Sequence, residues 1–144
     1  MPVNIIEFAE LEKKLVKTRK SPLEVLAPEF GKAYVIAITR DGCPACKRQK
    51  PRLDKLAASE AEKHGDKVLF TRVRVKYNPD SLQESLRSKD LLGHYFYPTN
   101  LILLRTRDRG AIEYYRNVSP TMSELKKNIE NAIKIAGAME KARK

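Results

Sequence analysis

Residues 33–38, Ala-Tyr-Val-Ile-Ala-Ile, form an apolar run with no polar alternation. Such a run, rich in β-branched residues and too short for a buried helix, reads as a strand covered on both faces. That demand excludes a two-layer antiparallel sheet with one wet face and calls for helices on either side. Leu101-Ile102-Leu103-Leu104 makes the same demand further along the chain. The segments around these two strands read in the order α, β, α, β, α, β, β, α. A βαβ unit followed by a hairpin and a helix describes an α/β fold, a central mixed sheet sandwiched between helices.

The boundaries follow from local chemistry. Apolar positions Ile5, Phe8, Ala9, Leu15 and Val16 predict an amphipathic helix over residues 5–20, with Asn4 as N-cap and Ser21-Pro22 as stop. Leu23 to Phe30 is bracketed by prolines and reads as strand or turn. The first buried strand ends in the loop Thr39-Arg40-Asp41-Gly42. A helix begins at Cys43 and runs to about His64-Gly65, with Pro51 inside it. Residues 68–75 form a second strand, with Arg72 and Arg74 on one face and Leu69, Val73 and Val75 on the other, the pattern of a half-exposed edge. Asn78-Pro79-Asp80 predicts a turn and N-cap before a helix over Ser81 to Leu92 closed by Gly93. Asp108-Arg109-Gly110 predicts a hairpin into Ala111 to Arg116. Ser119-Pro120-Thr121 opens a last helix, whose stripe is Met122, Leu125, Ile129, Ile133 and Ala136. The whole chain reads as a single domain, with residues 1–30 as an N-terminal helical extension and residues 33–144 as the core.

The 144 residues are enough to bury a core without disulfides or a structural metal. No apolar stretch is long enough to span a membrane, and Met-Pro-Val-Asn-Ile-Ile-Glu-Phe lacks the pattern of a secretion signal. The expected setting is therefore cytoplasmic and reducing, with no membrane partner. Two cysteines spaced Cys-x-x-Cys in such a compartment point to redox catalysis or metal binding rather than a static bridge.

The junction Gly42-Cys43-Pro44-Ala45-Cys46-Lys47 supports the redox reading. A cysteine exchanges disulfides only as thiolate, and a helix N-terminus stabilises that anion through unpaired N–H groups and the positive end of the helix dipole. Cys43 takes that position as nucleophile. Cys46, one helical turn on, lies within reach to resolve a mixed disulfide. Pro44 suits the first helical position and stiffens the loop, and Gly42 lets a partner backbone approach closely. Lys47, Arg48, Lys50, Arg52 and Lys55 surround the site with positive charge. A zinc site would need two further ligands. His64 and His94 are the only imidazoles, and their spacing is unlike a zinc finger, so no metal is expected. Either histidine fits better as a capping or packing residue. Two inert, buried cysteines fit poorly between Asp-Gly and Lys-Arg.

These residues resemble the thioredoxin-like disulfide oxidoreductases, a family that includes thioredoxins, protein disulfide isomerase domains and glutaredoxins. Cys43-Pro44-Ala45-Cys46-Lys47 is similar to the active-site motif, Pro51 to the proline inside the active-site helix, and Asn78-Pro79 to a pair found after the next strand. Tyr97-Pro98-Thr99 resembles the cis-proline loop. The likeness runs from about Tyr34 to the C-terminus, with an insertion of several residues before Tyr97. It implies a thioredoxin-like fold with an extra N-terminal helix. It also implies a redox-active Cys43–Cys46 disulfide with no other cofactor, and a substrate groove shaped by Pro98 with Tyr97 and Thr99. Partners implied are protein disulfides or dithiols, with a reductase or low-molecular-weight thiol as electron donor, acting on a monomer. The sequence departs from the family where a Trp and a buried acid are usual, at Gly42 and Ala37. Asp41 is the nearest substitute acid and reads as solvated.

The net charge of +11 asks for a second reading, a non-catalytic interaction or nucleic-acid-associated module. The surplus is spread evenly, +5 over residues 1–72 and +6 over residues 73–144. With no basic tail and no aromatic-rich basic motif, nucleic acid is not the expected partner.

Overall fold

In the computed structural model, residues 3–78, 82–108, 110–118 and 120–142 are described. Five strands form one mixed sheet: β1 (Val3–Glu7), β2 (Ala33–Arg40), β3 (Val68–Val75), β4 (Thr99–Arg105) and β5 (Ala111–Asn117), in the order β1-β3-β2-β4-β5. β1 and β2 flank β3 in parallel, while β4 runs antiparallel to β2 and β5 antiparallel to β4. The helices are α1 (Phe8–Thr18), α2 (Pro22–Leu26), α3 (Pro44–His64), α4 (Gln83–Leu92) and α5 (Met122–Ala142), with a 3₁₀ turn at Gly65–Lys67.

The central run behaves as its composition requires. Val35 and Ala37 point to one face and pack with Leu53 and Ala57 of α3 and Leu125 and Ile129 of α5. Tyr34, Ile36 and Ile38 point to the other face and pack with Phe8 and Leu11 of α1, Leu26 of α2 and Leu92 of α4. Both faces of β2 and β4 are thus sealed, which explains the missing alternation. Each of these fully buried large side chains contributes about 1.5–3 kcal/mol.

Three segments differ from the sequence reading. The helix expected over residues 5–20 begins at Phe8, and Val3–Glu7 is instead an edge strand beside β3. The β-branched Val3, Ile5 and Ile6 favour extended backbone, and the free edge of β3 supplies hydrogen-bond partners that a frayed helical turn would lack. The helix ends at Thr18, where Arg19 adopts a left-handed conformation and donates its N–H to Leu15. Leu11 is fully buried, whereas Val16, expected in the apolar stripe, is exposed. The first thirty residues are therefore β1, α1 and α2 rather than a helical extension alone.

Ser21-Pro22, expected to stop a helix, starts one. The Ser21 hydroxyl accepts the Glu24 N–H at 3.3 Å while the Glu24 carboxylate receives the Ser21 N–H at 3.4 Å, a capping box with Pro22 at the first helical position. β3 is not an edge, because β1 covers it, and Arg72 is buried rather than solvated. Elsewhere the expected elements appear with small shifts. Gly93 closes α4 in a left-handed conformation, the Thr106 N–H meets the Gly110 carbonyl at 2.7 Å across the hairpin, and the Thr121 hydroxyl caps α5 by accepting the Glu124 N–H at 3.0 Å. Pro79, Asp80, Ser81, Arg109 and Ser119 of the expected turns lie outside the described residues.

Candidate active site

β2 delivers the chain to the surface and α3 turns it back beneath the sheet, so the intervening loop sits at the carboxyl end of a parallel strand. Gly42 in that loop has φ 68°, a left-handed conformation that a side chain would strain. Cys43 follows as the N-cap of α3, and its sulfur accepts the Cys46 N–H at 3.1 Å. Pro44 occupies the first turn, where a missing N–H costs nothing. One turn separates the cysteines, with 5.2 Å between their Cα atoms, and they are joined as a disulfide. Both sulfur-bearing side chains are buried in this state, Cys43 at 3% and Cys46 at 8% exposure.

The start of β4 closes over Cys43. The Tyr97–Pro98 peptide is cis, and the Tyr97 carbonyl oxygen lies 3.7 Å from Cys43 Sγ. Tyr97 itself is half-buried. Its hydroxyl shares a 3.0 Å hydrogen bond with Ser85 Oγ, and His94 stacks edge-on against its ring with 4.9 Å between centroids. Thr99 is buried and donates its hydroxyl to the Phe96 carbonyl at 2.7 Å, so it shapes the loop from within. Behind it Asn100 and Gln49 exchange two 3.0 Å amide hydrogen bonds, fastening the second turn of α3 to β4.

Cations dominate the rim. An open cleft of about 230 Å³ beside Cys46 is lined by Arg40, Lys47, Lys50, Arg72 and Arg74, with Asp41 as the one acid. Arg40 also covers the Tyr77 ring at 4.0 Å. Lys47 and Gly42 are exposed, and so is Asp41.

No carboxylate occupies the strand position below the disulfide, where Ala37 is packed in the core. Asp54 of α3 instead accepts a 3.0 Å hydrogen bond from the buried Arg72 guanidinium. Burial raises the Asp54 pKa, but Arg72 and then Lys50 outweigh it, and the carboxyl is held below the usual range. Asp54 is therefore an ionised anchor for Arg72 rather than a proton acceptor. His94 is driven to the neutral form by burial, with its pKa pushed down to about 4.

The sequence reading thus placed Cys43, Pro44, Cys46, Tyr97 and Pro98, which the fold brings together from two distant segments. It missed Arg40, Ser85, His94 and the Arg72–Asp54 pair. Only Arg72 left a signal, a charge at a position that alternates with core residues.

No protein-family profile matches the chain, and no curated protein matches it in sequence. Solved structures do match in shape. A thioredoxin from Malassezia sympodialis is 21% identical with a TM-score of 0.58, covering 91% of this chain and 90% of its own. A Nicotiana alata thioredoxin is 20% identical at 0.58, covering 92% and 95%. The Trx4 domain of ERdj5 is 13% identical at 0.61, covering 94% and 98%. The fold is thioredoxin-like.

Proposed function

We propose that this chain is a thiol–disulfide oxidoreductase acting on protein disulfides, working as a thioredoxin-like reductant. One observation carries the proposal: the Cys43–Cys46 pair caps the N-terminus of α3 with Cys43 Sγ against the Tyr97 backbone. In the reduced protein the Cys46 N–H, 3.1 Å from Cys43 Sγ, and the helix dipole favour the Cys43 thiolate. That thiolate attacks one sulfur of a substrate disulfide and expels the other as thiolate, which takes up a proton. Cys46, deprotonated to solvent, then attacks the Cys43 sulfur of the mixed disulfide. The second substrate thiol leaves, and two electrons have passed from the dithiol to the substrate.

The Tyr97–Thr99 loop is the proposed substrate groove, where the Tyr97 backbone pairs with an extended chain. Gly42 admits the partner, while Pro44 and Lys47 set the stiffness and charge of the loop. A reductase or low-molecular-weight thiol restores the dithiol, and no cofactor beyond it is needed. The proposed setting is the cytoplasm and the proposed acting form a monomer, because a single copy carries both cysteines and the groove. The basic cleft fits this reading better than a nucleic-acid module, since its charge is gathered against Cys46.

Turnover of a small disulfide with dithiothreitol tests the proposal. Cys43→Ser should abolish it, and undiminished activity in that variant overturns the assignment. The direction of exchange is read from the Cys43–Cys46 reduction potential. A value near about −270 mV supports a reductant, and one near about −120 mV an oxidant.

A further inference from the structure

Glu60 lies near the C-terminal end of α3 and is fully buried, yet neither carboxylate oxygen has a hydrogen-bond donor among the described residues. A buried carboxylate without donors is costly unless a cation compensates it. One turn on, His64 Nε2 lies 3.3 Å from Glu60 Oε2 and 3.8 Å from Glu130 Oε2 of α5, and it too lacks a hydrogen-bond partner. We infer that Glu60, His64 and Glu130 form a binding site for a divalent transition cation of zinc type, which cross-links α3 to α5.

The separations favour a bridged cluster over a directly bonded one. An N–H···O hydrogen bond spans roughly 2.7–3.2 Å, shorter than either contact. Ligand atoms about 2.1 Å from a tetrahedral zinc stand about 3.4 Å apart, and the three atoms here all lie within 4.8 Å of one another. One imidazole nitrogen and two carboxylates suit zinc, with a fourth position left to water. The donors come from a rigid helix turn and its neighbour, so little order is lost on binding.

Two lysines neighbour the cluster. Lys63 Nζ donates to Glu130 Oε2 at 2.9 Å, and Lys126 adds positive charge near both carboxylates. Lys63 is exposed and can turn to solvent, which frees Glu130 Oε2, the oxygen that faces His64 at 3.8 Å, for a metal. The site lies about 20 Å along α3 from Cys46 at 1.5 Å per residue, so it is structural and independent of disulfide exchange.

The test uses the full chain with Cys43–Cys46 oxidised, so that thiolates do not capture the ion. Calorimetry with zinc chloride should show one ion bound per chain, and cobalt should give the visible bands of a four-coordinate ion. Glu60→Gln and His64→Ala should each weaken binding about 100-fold, while Glu130→Gln, at a more exposed ligand, checks the same loss without disturbing the core. Disulfide turnover, which uses none of these residues, reports that each variant is folded. Absence of stoichiometric binding by the wild type overturns the inference, as does binding that all three variants retain. A wild-type His64 that stays protonated well above pH 6.5 by NMR in the presence of zinc also overturns it, by assigning the cluster to a buried ion pair.

Discussion

The sulfur of Cys43 lies 3.7 Å from the carbonyl oxygen of Tyr97, 54 residues further along the chain. That contact joins the two segments on which the proposed chemistry depends. Cys46, by contrast, sits on the far side of the disulfide, against the basic cleft. In the proposed reaction Cys43, the helix cap, attacks and Cys46 resolves. Cys46→Ser should therefore accumulate a mixed disulfide between Cys43 and its substrate, seen as a reducible higher-mass adduct on non-reducing gels. Failure to trap any partner counts against the resolving role.

The cleft beside Cys46 should steer acidic substrates. Reduction of an acidic disulfide peptide should slow as salt rises through the range where the Debye length falls from about 30 to 10 Å, while a neutral peptide changes little. Lys47→Glu should lower the low-salt rate for the acidic peptide about tenfold. Equal salt dependence for both peptides would remove charge from the account of specificity.

His94 makes stability fall in mild acid. Its folded-state pKa of about 4 lies below its ordinary value of 6.5, so the unfolded chain takes up the proton first as pH drops. The contribution is complete above pH 6.5 and is lost as pH falls towards 4. Between pH 7.5 and 5 it amounts to about 2 kcal/mol. Urea unfolding at the two pH values should show this loss, and His94→Gln should remove that part of it. An unchanged pH dependence in the variant places the effect elsewhere.

Arg72 is buried at 5% exposure, and among the described residues its carboxylate contact is Asp54, at 3.0 Å. Asp54→Ala should cost about 2 kcal/mol by leaving that guanidinium poorly compensated. Adding Arg72→Met should recover most of the loss, because an apolar side chain needs no partner there. Additive losses in the double variant would show that the two residues act separately.

Asn100, fully buried on β4, exchanges two hydrogen bonds with Gln49. Asn100→Ala should destabilise the fold by about 1–3 kcal/mol through the orphaned Gln49 amide. It should also slow disulfide turnover, because the second turn of α3 is fastened to β4 through this pair. Chemical denaturation and turnover assays measure the two effects, and a variant with lower stability but unchanged turnover would confine Asn100 to a structural role.

Much of this was legible in one dimension. The run at residues 33–38 required two covered faces, and it becomes Val35 and Ala37 packed in one hydrophobic cluster with Ile36 and Ile38 packed in another on the opposite face. The Cys-x-x-Cys motif and the Tyr-Pro-Thr triplet announced the site because their chemistry is local: a helix N-terminus and a loop before a strand. Val3–Glu7 was misread because five residues with two isoleucines satisfy either periodicity. The choice between helix and strand rested on the open edge of β3, which lies more than sixty residues away. Arg72 looked like an edge charge because alternation reports which face a side chain takes and says nothing of what covers it.

Local pattern and turn chemistry therefore carried the element order from residue 33 onward, the mixed sheet with helices on both faces, and the cysteines with their helix cap. Tertiary structure decided which residues meet. It put Tyr97 over Cys43, His94 and Ser85 behind Tyr97, Asp54 beneath Arg72, and His64 between two carboxylates from different helices. The division has a physical cause. Hydrophobic period and capping act between neighbours in the chain, whereas hydrogen bonds and charge pairs act over a few ångströms of space and exist only once folding has closed the loops between them.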